Sequence, residues 1–129
     1  MSMEIKHPGE WFLQADYDLE TADAMFKSKR YIYTVFMCHL SIEKALKGFY
    51  VKKFQEVPPK IHNLIYLIEK VSLQMTDDLY DFIFSLNRVS VPTRYPDDLK
   101  RILKDYDEDK IKDILIKTGE VLKCLKKML

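Results

Sequence analysis

The absences in this chain narrow its class quickly. No segment alternates apolar and polar residues with a period of two, and no hairpin dipeptide such as Asn-Gly occurs; β-structure is therefore not expected. No apolar run approaches the roughly 18 residues that a membrane span needs. The opening residues, MSMEIKHPGEW, lack the apolar core of a secretory signal. Positive and negative charge nearly cancel, leaving a net +1, so no global basic field announces a nucleic-acid partner, although a local basic patch stays open. The two cysteines, Cys38 and Cys124, have neither a CxxC nor a zinc spacing. Both fall on apolar stripes of separate segments, as buried free thiols in a reducing cytoplasm would. The expected setting is cytoplasmic, with no membrane contact and no cofactor.

What is present is helical periodicity. A chain of 129 residues makes one domain, and one of this length buries roughly two thirds of its extended surface. Hydrophobic residues at 47% and charged residues at 32% suit a soluble helical protein. The central stretch is 31–54, YIYTVFMCHLSIEKALKGFYVKKF, long enough for a helix of roughly 36 Å. Val35, Cys38, Ile42, Ala45 and Phe49 step by three and four residues along one seam. Phe36, Leu40, Leu46 and Tyr50 widen that seam, so the helix is expected to touch more than one neighbour. Beside it run His39, Glu43 and Lys47, each four residues apart, with Glu ahead of Lys in the favourable ion-pair order. This line reads either as a solvated or half-buried polar edge or as a polar site at the mouth of a groove.

The other segments follow from their stripes and stops. Pro8 suits a first helical turn, and Trp11, Ala15, Leu19, Ala22 and Phe26 share a face, ending at the basic residues 27–30. The next helix must then turn back as an antiparallel hairpin. Pro58 and Pro59 end it. A third helix is expected from near Ile61, with Ile61, Leu64, Ile68, Val71 and Met75 as its core stripe. Thr76 caps a fourth, carrying Leu79, Phe82, Ile83, Leu86 and Val89. Residues 87–98, NRVSVPTRYPDD, form the one irregular stretch of any length. A short helical turn has room at Leu99 to Leu103. Asp107 caps the last helix, whose stripe is Ile111, Ile114, Leu115, Thr118, Leu122, Leu125 and Leu129. The expected fold is all-α: an up-and-down four-helix bundle with room for a short extra helix.

These residues also resemble a known family. Trp11, Ala15, Asp18-Leu19 and Ala22 are similar to the opening pattern of HEPN domains (higher eukaryotes and prokaryotes nucleotide-binding). His39 with Glu43-Lys44-Ala45-Leu46-Lys47 resembles their second-helix signature, Pro59 with His62 and Leu64 their P..H.L element, and Arg94-Tyr95-Pro96 their RYP element. The four elements stand in the family's order over residues 11 to 96. The resemblance implies a helical bundle, often a homodimer, that deals with nucleotides or RNA. It implies a small prokaryotic protein acting beside a minimal nucleotidyltransferase as a toxin–antitoxin pair. Other members are metal-independent ribonucleases carrying an arginine followed, four to six residues on, by a histidine. This chain departs from that pattern: no histidine follows His62, so neither Arg88 nor Arg94 completes the motif, and no catalytic residue is assigned.

The expected nucleotide- or phosphate-binding residues are Arg88, Arg94 and Tyr95, with Lys44 and Lys47 in support. Guanidinium groups fork onto phosphate, and a tyrosine ring can stack on a base. The alternative pairs the arginines with acids such as Asp97, Asp98 or Glu43. His39 and Glu43 are supporting polar residues; their spacing would suit two metal ligands, but no third ligand is evident and no metal is expected. Two other readings remain at this level: a ribonuclease toxin with a degenerate site, and a non-catalytic dimerising scaffold that uses exposed aromatics of the central helix.

Overall fold

A computed structural model describes residues 5–90, 101 and 104–129. Within them are five helices: α1 (Pro8–Lys27), α2 (Tyr31–Phe54), α3 (Leu64–Val71), α4 (Asp77–Ser90) and α5 (Glu108–Met128). The fold is an all-α bundle of four long helices, with the short α3 in the connection between α2 and α4. No strand occurs among the described residues. Nor is any helix among them long and apolar enough to cross a membrane.

The helix ends follow local chemistry. Pro8 opens α1 while Nδ1 of His7 accepts from the Gly9 amide at 3.1 Å. The α1–α2 turn needs one left-handed residue, supplied by Lys29 at φ 60°. The Arg30 amide then reaches back to the Met25 carbonyl at 2.8 Å. Asp107 caps α5 by accepting from the Lys110 amide at 2.9 Å. The third helix starts later than its stripe suggests, at Leu64, because the Asn63 side chain accepts from the amides of Ile65 and Tyr66. Asn87 of α4 completes that cap, its side-chain oxygen accepting from the Leu64 amide at 2.9 Å. Helix α4 runs on through Ser90, so residues 87–90 of the stretch read as irregular are helical. The extra turn expected at Leu99 to Leu103 lies outside the described residues, except that Arg101 is helical.

The central helix organises the bundle: α2 packs against α1, α3, α4 and α5. From Ser41 to Val51 every residue except Lys44 is buried, as in a helix surrounded by protein. Ile42, Leu46, Leu64, Leu67, Ile83, Ile111, Leu122 and Leu125 fill the interior around it, each contributing about 1.5–3 kcal/mol by burial. Against α1 the approach is close because side chains are small. Ala15, Ala22 and Ala45 are fully buried, and the Ser41 hydroxyl donates to the Ala15 carbonyl at 2.7 Å. A Cβ added to Gly48 would stand 2.9 Å from the Phe12 ring.

Phe12, which lies off the expected α1 stripe, is buried and meets Phe49 edge-on with ring centroids 5.6 Å apart. Trp11 lies beside it, with the Lys6 ammonium 4.6 Å from the ring centre. Its indole nitrogen is buried and has no hydrogen-bond partner among the described residues. In α5, Val121 is buried where the expected stripe passed over it, and the terminal Leu129 is exposed.

Candidate functional site

The polar line of α2 is not a solvated or half-buried edge: His39, Glu43 and Lys47 are all buried. Packing of the α2–α3 connection and the end of α4 over this part of α2 causes the burial. Three donors converge on Glu43. The Lys47 ammonium lies 3.0 Å from Oε2, Nδ1 of His62 lies 3.0 Å from Oε1 and 3.2 Å from Oε2, and Nε2 of His39 lies 3.4 Å from Oε1. Burial alone would push the Glu43 carboxyl up. The hydrogen bond from His39, the Lys47 ammonium and the hydrogen bond from His62 outweigh it and hold the group down at about 2.

The histidines are fixed by what they face. Nε2 of His39 sees only acceptors, the His62 carbonyl at 2.8 Å and Glu43 beyond, so it carries a proton and donates. Nδ1 of His39 is hydrogen-bonded to the Ser90 hydroxyl, whose oxygen also lies 2.8 Å from the Leu86 carbonyl, the single hydroxyl hydrogen serving one of the two acceptors at a time. His62 is held at two points, its carbonyl by His39 and its ring by Glu43. Its Nδ1 donates to an ionised carboxylate, and its side chain remains 53% exposed. Nε2 of His62 has no partner among the described residues. The network therefore reaches from the inner end of α4 to the surface through a single imidazole.

The sequence-predicted site residues divide. Lys47 is bound within this network. Lys44 pairs with Asp18 of α1 at 2.8 Å, and only 22% of its side chain is exposed. Neither lysine presents a loose ammonium to a ligand. Arg88 is exposed on the last turn of α4 and has no ion pair among the described residues. It directly follows Asn87, whose amide nitrogen donates to Asn63, the neighbour of His62, at 3.3 Å. Arg94 and Tyr95 lie outside the described residues, as do Asp97 and Asp98. No group of three or more metal-ligating side chains forms among the described residues. Of the six aromatics crowding α2, Phe49 and Tyr50 are buried, Tyr31, Phe36 and Phe54 are half-buried, and Tyr33 is 60% exposed.

Two groups were not legible as partners. His62 carries no local sign that it pairs with Glu43, although it stands in the P..H.L element. Ser90 meets His39 across 51 positions, and no local pattern predicts that.

Two other features carry little of this chemistry. A cavity of about 860 Å³ opens between α4 and α5, floored by Leu79, Phe82 and Ile114 and rimmed by Asp78, Asp81 and Asp113; the acidic rim disfavours phosphate. The Cys38 thiol, pushed up to about 12 by burial against a smaller lowering by the Thr118 hydroxyl, is inert at neutral pH. Cys124 is half-buried and free.

Comparison with known proteins agrees with this architecture. The crystal structure of TT1696 from Thermus thermophilus superposes with a TM-score of 0.80 at 22% identity, covering 95% of this chain and 98% of that one. That likeness speaks for the fold. No curated protein matches the sequence. The family model of the HEPN domain matches residues 9–128, a span that takes in α1, the buried signature of α2, His62 and the whole of α5. With that match over nearly its full length, the chain belongs to the HEPN domain family, whose members are generally concerned with nucleotides and RNA.

Proposed function

We propose that this HEPN protein is a nucleotide- or RNA-binding module and the partner subunit of a minimal nucleotidyltransferase in a toxin–antitoxin-like pair, working as a homodimer. Family membership supports the nucleotide or RNA part of this reading. The observation that carries it is Arg88: an exposed guanidinium with no ion pair among the described residues, at the end of α4 beside the polar network. Such a group can take a phosphate in a forked pair of charge-assisted hydrogen bonds. Arg94 and Tyr95 are the further proposed contacts, by charge and by stacking. Lys44 and Lys47 act behind the site, holding Asp18 and Glu43. Tyr33 is the exposed aromatic of α2 that suits the homodimer face.

The test is a thermal-shift titration with ATP, GTP and a short RNA. A ligand that binds the folded state raises the unfolding midpoint with its concentration. The expected result is a dose-dependent rise that Arg88→Ala and Arg94→Ala each reduce. A midpoint unmoved by all three ligands at millimolar concentration would remove the nucleotide-binding reading. Co-purification with a neighbouring nucleotidyltransferase tests the partnership separately.

A further inference from the structure

We propose that His62 is a phosphate-contacting residue of the binding site, its Nε2 meeting an anionic phosphate oxygen while Glu43 holds the ring from behind. The proposal rests on the nucleotide-binding reading above and adds to it a residue, an atom and a chemistry.

The geometry supplies three reasons. The first is orientation. His62 is fixed by its own carbonyl, which accepts from His39 at 2.8 Å, and by its Nδ1, which donates to Glu43 at 3.0 Å. An imidazole with one nitrogen tied to a buried carboxylate, the other without a partner among the described residues and the side chain 53% exposed is oriented before any ligand arrives, so little rotamer freedom is lost on binding. A purely structural histidine has no need of the exposed half of its ring.

The second is charge. One carboxylate, Glu43, receives Lys47, His39 and His62 together. Lys47 already balances its charge, so a proton added at Nε2 of His62 leaves the cluster with a net positive charge. That charge emerges where His62 reaches solvent. Among the described residues, the groups bonded to His62 or to its neighbour Asn63 are His39 and Glu43 from α2 and the neutral Asn87 from α4; the connection itself carries Glu56 and Lys60, and Arg88 follows Asn87. The acid in contact with the ring is the buried Glu43. A phosphate supplies the missing negative charge, and the imidazolium donates to it in a charge-assisted bond.

The third is placement. Asn87 bonds both Asn63 and the Leu64 amide, which anchors the His62–Asn63 turn on the end of α4 that carries Arg88. Two residues far apart in sequence, His62 and Arg88, are thereby carried on directly bonded segments.

The experiment is an imidazole NMR titration of the intact protein with adenosine 5′-monophosphate, with adenosine as the phosphate-free control. The three histidines report separately: His39 is buried, and His7 is the N-cap of α1, bonded to the Gly9 amide. The expected result is a saturable shift of the His62 signals with the monophosphate, little response to adenosine, and His7 unmoved. In a parallel binding assay His62→Ala is expected to weaken the monophosphate at least tenfold, with His62→Gln in between. Saturable binding in which the His62 signals stay still overturns this inference and leaves the nucleotide-binding reading standing. Unchanged affinity in a folded His62→Ala variant does the same. Equal His62 shifts with adenosine would make the contact one to the nucleoside and overturn the phosphate assignment. No binding of the monophosphate at millimolar concentration overturns both.

Discussion

On the side of α2 that faces α1, contact is made by removing side-chain volume. Ala15, Ala22, Ala45 and Gly48 let the two backbones approach until Ser41 can donate to a carbonyl of the other helix. On the side that faces the α2–α3 connection and the end of α4, contact is made by ionised and hydrogen-bonded groups, with Glu43 at the centre. The same helix therefore carries a dry seam and a polar seam. Their failure modes differ. The dry seam depends mainly on volume, although it also carries the Asp18–Lys44 ion pair between α1 and α2. The polar seam depends on protonation and on every partner being present, since a half-satisfied buried network costs more than an apolar one.

The sharpest way to break the comparison is Glu43→Ala. It leaves Lys47 buried without its counter-charge and His62 without its anchor, and the expected loss is about 3–5 kcal/mol in chemical denaturation. The double variant Glu43→Leu/Lys47→Met should recover much of that loss, because two apolar side chains replace a buried pair. Recovery would show that the polar seam is retained for what it does at the surface and not for stability.

Acid should act on the polar seam through Glu43. The Glu43 carboxyl is held well below its ordinary range, at about 2. Its contribution is present above the ordinary carboxylate value of about 4.3 and is lost as pH falls from there towards 2. Denaturation midpoints measured across that window should drop in the wild type more steeply than in Glu43→Gln. Parallel curves for the two proteins would place the acid-sensitive group elsewhere.

The dry seam yields to volume. Gly48→Val adds atoms where even a Cβ would stand 2.9 Å from Phe12, and a loss of about 1–3 kcal/mol is expected from overpacking, equal at pH 4 and pH 7. Ser41→Ala removes the bond to Ala15 and should cost about 1 kcal/mol. The smallest effect belongs to neither seam. Lys29→Gly relieves a left-handed residue in the α1–α2 turn and should change stability by only about 0.5–1 kcal/mol in the favourable direction.

The two seams were unequally legible in the sequence. Apolar spacing marked Ala15, Ala22, Ala45 and Cys38 as interior, and local signals placed Pro8, Thr76 and Asp107 at helix starts, because those forces act within one or two turns. The burial of His39, Glu43 and Lys47 had no such signal. A line of polar residues at four-residue spacing looks the same whether water or protein lies outside it. The covering elements, His62 and Ser90, come from 19 and 51 positions away from their partners. Asn63 and Asn87 moved the start of α3 from Ile61 to Leu64 for the same reason, since half of that cap is delivered by another helix. Among the aromatics of α2, the seam spacing marked Phe36, Phe49 and Tyr50, and Tyr33, which lies off that seam, is 60% exposed.

Trp11 gives this contrast an optical readout. It is the chain's one tryptophan, and its Cβ lies 3.2 Å from where a Cβ at Gly48 would stand, so its emission reports on the α1–α2 contact. Its buried indole nitrogen, with no partner among the described residues, leaves the excited ring without a fixed hydrogen bond to tune its colour. A spectrum recorded during acidification would therefore hold its native wavelength while the polar seam gives way, and would shift red only when α1 itself leaves α2. The lag between that shift and the loss of helical signal would measure how far the two seams of one helix come apart as separate events.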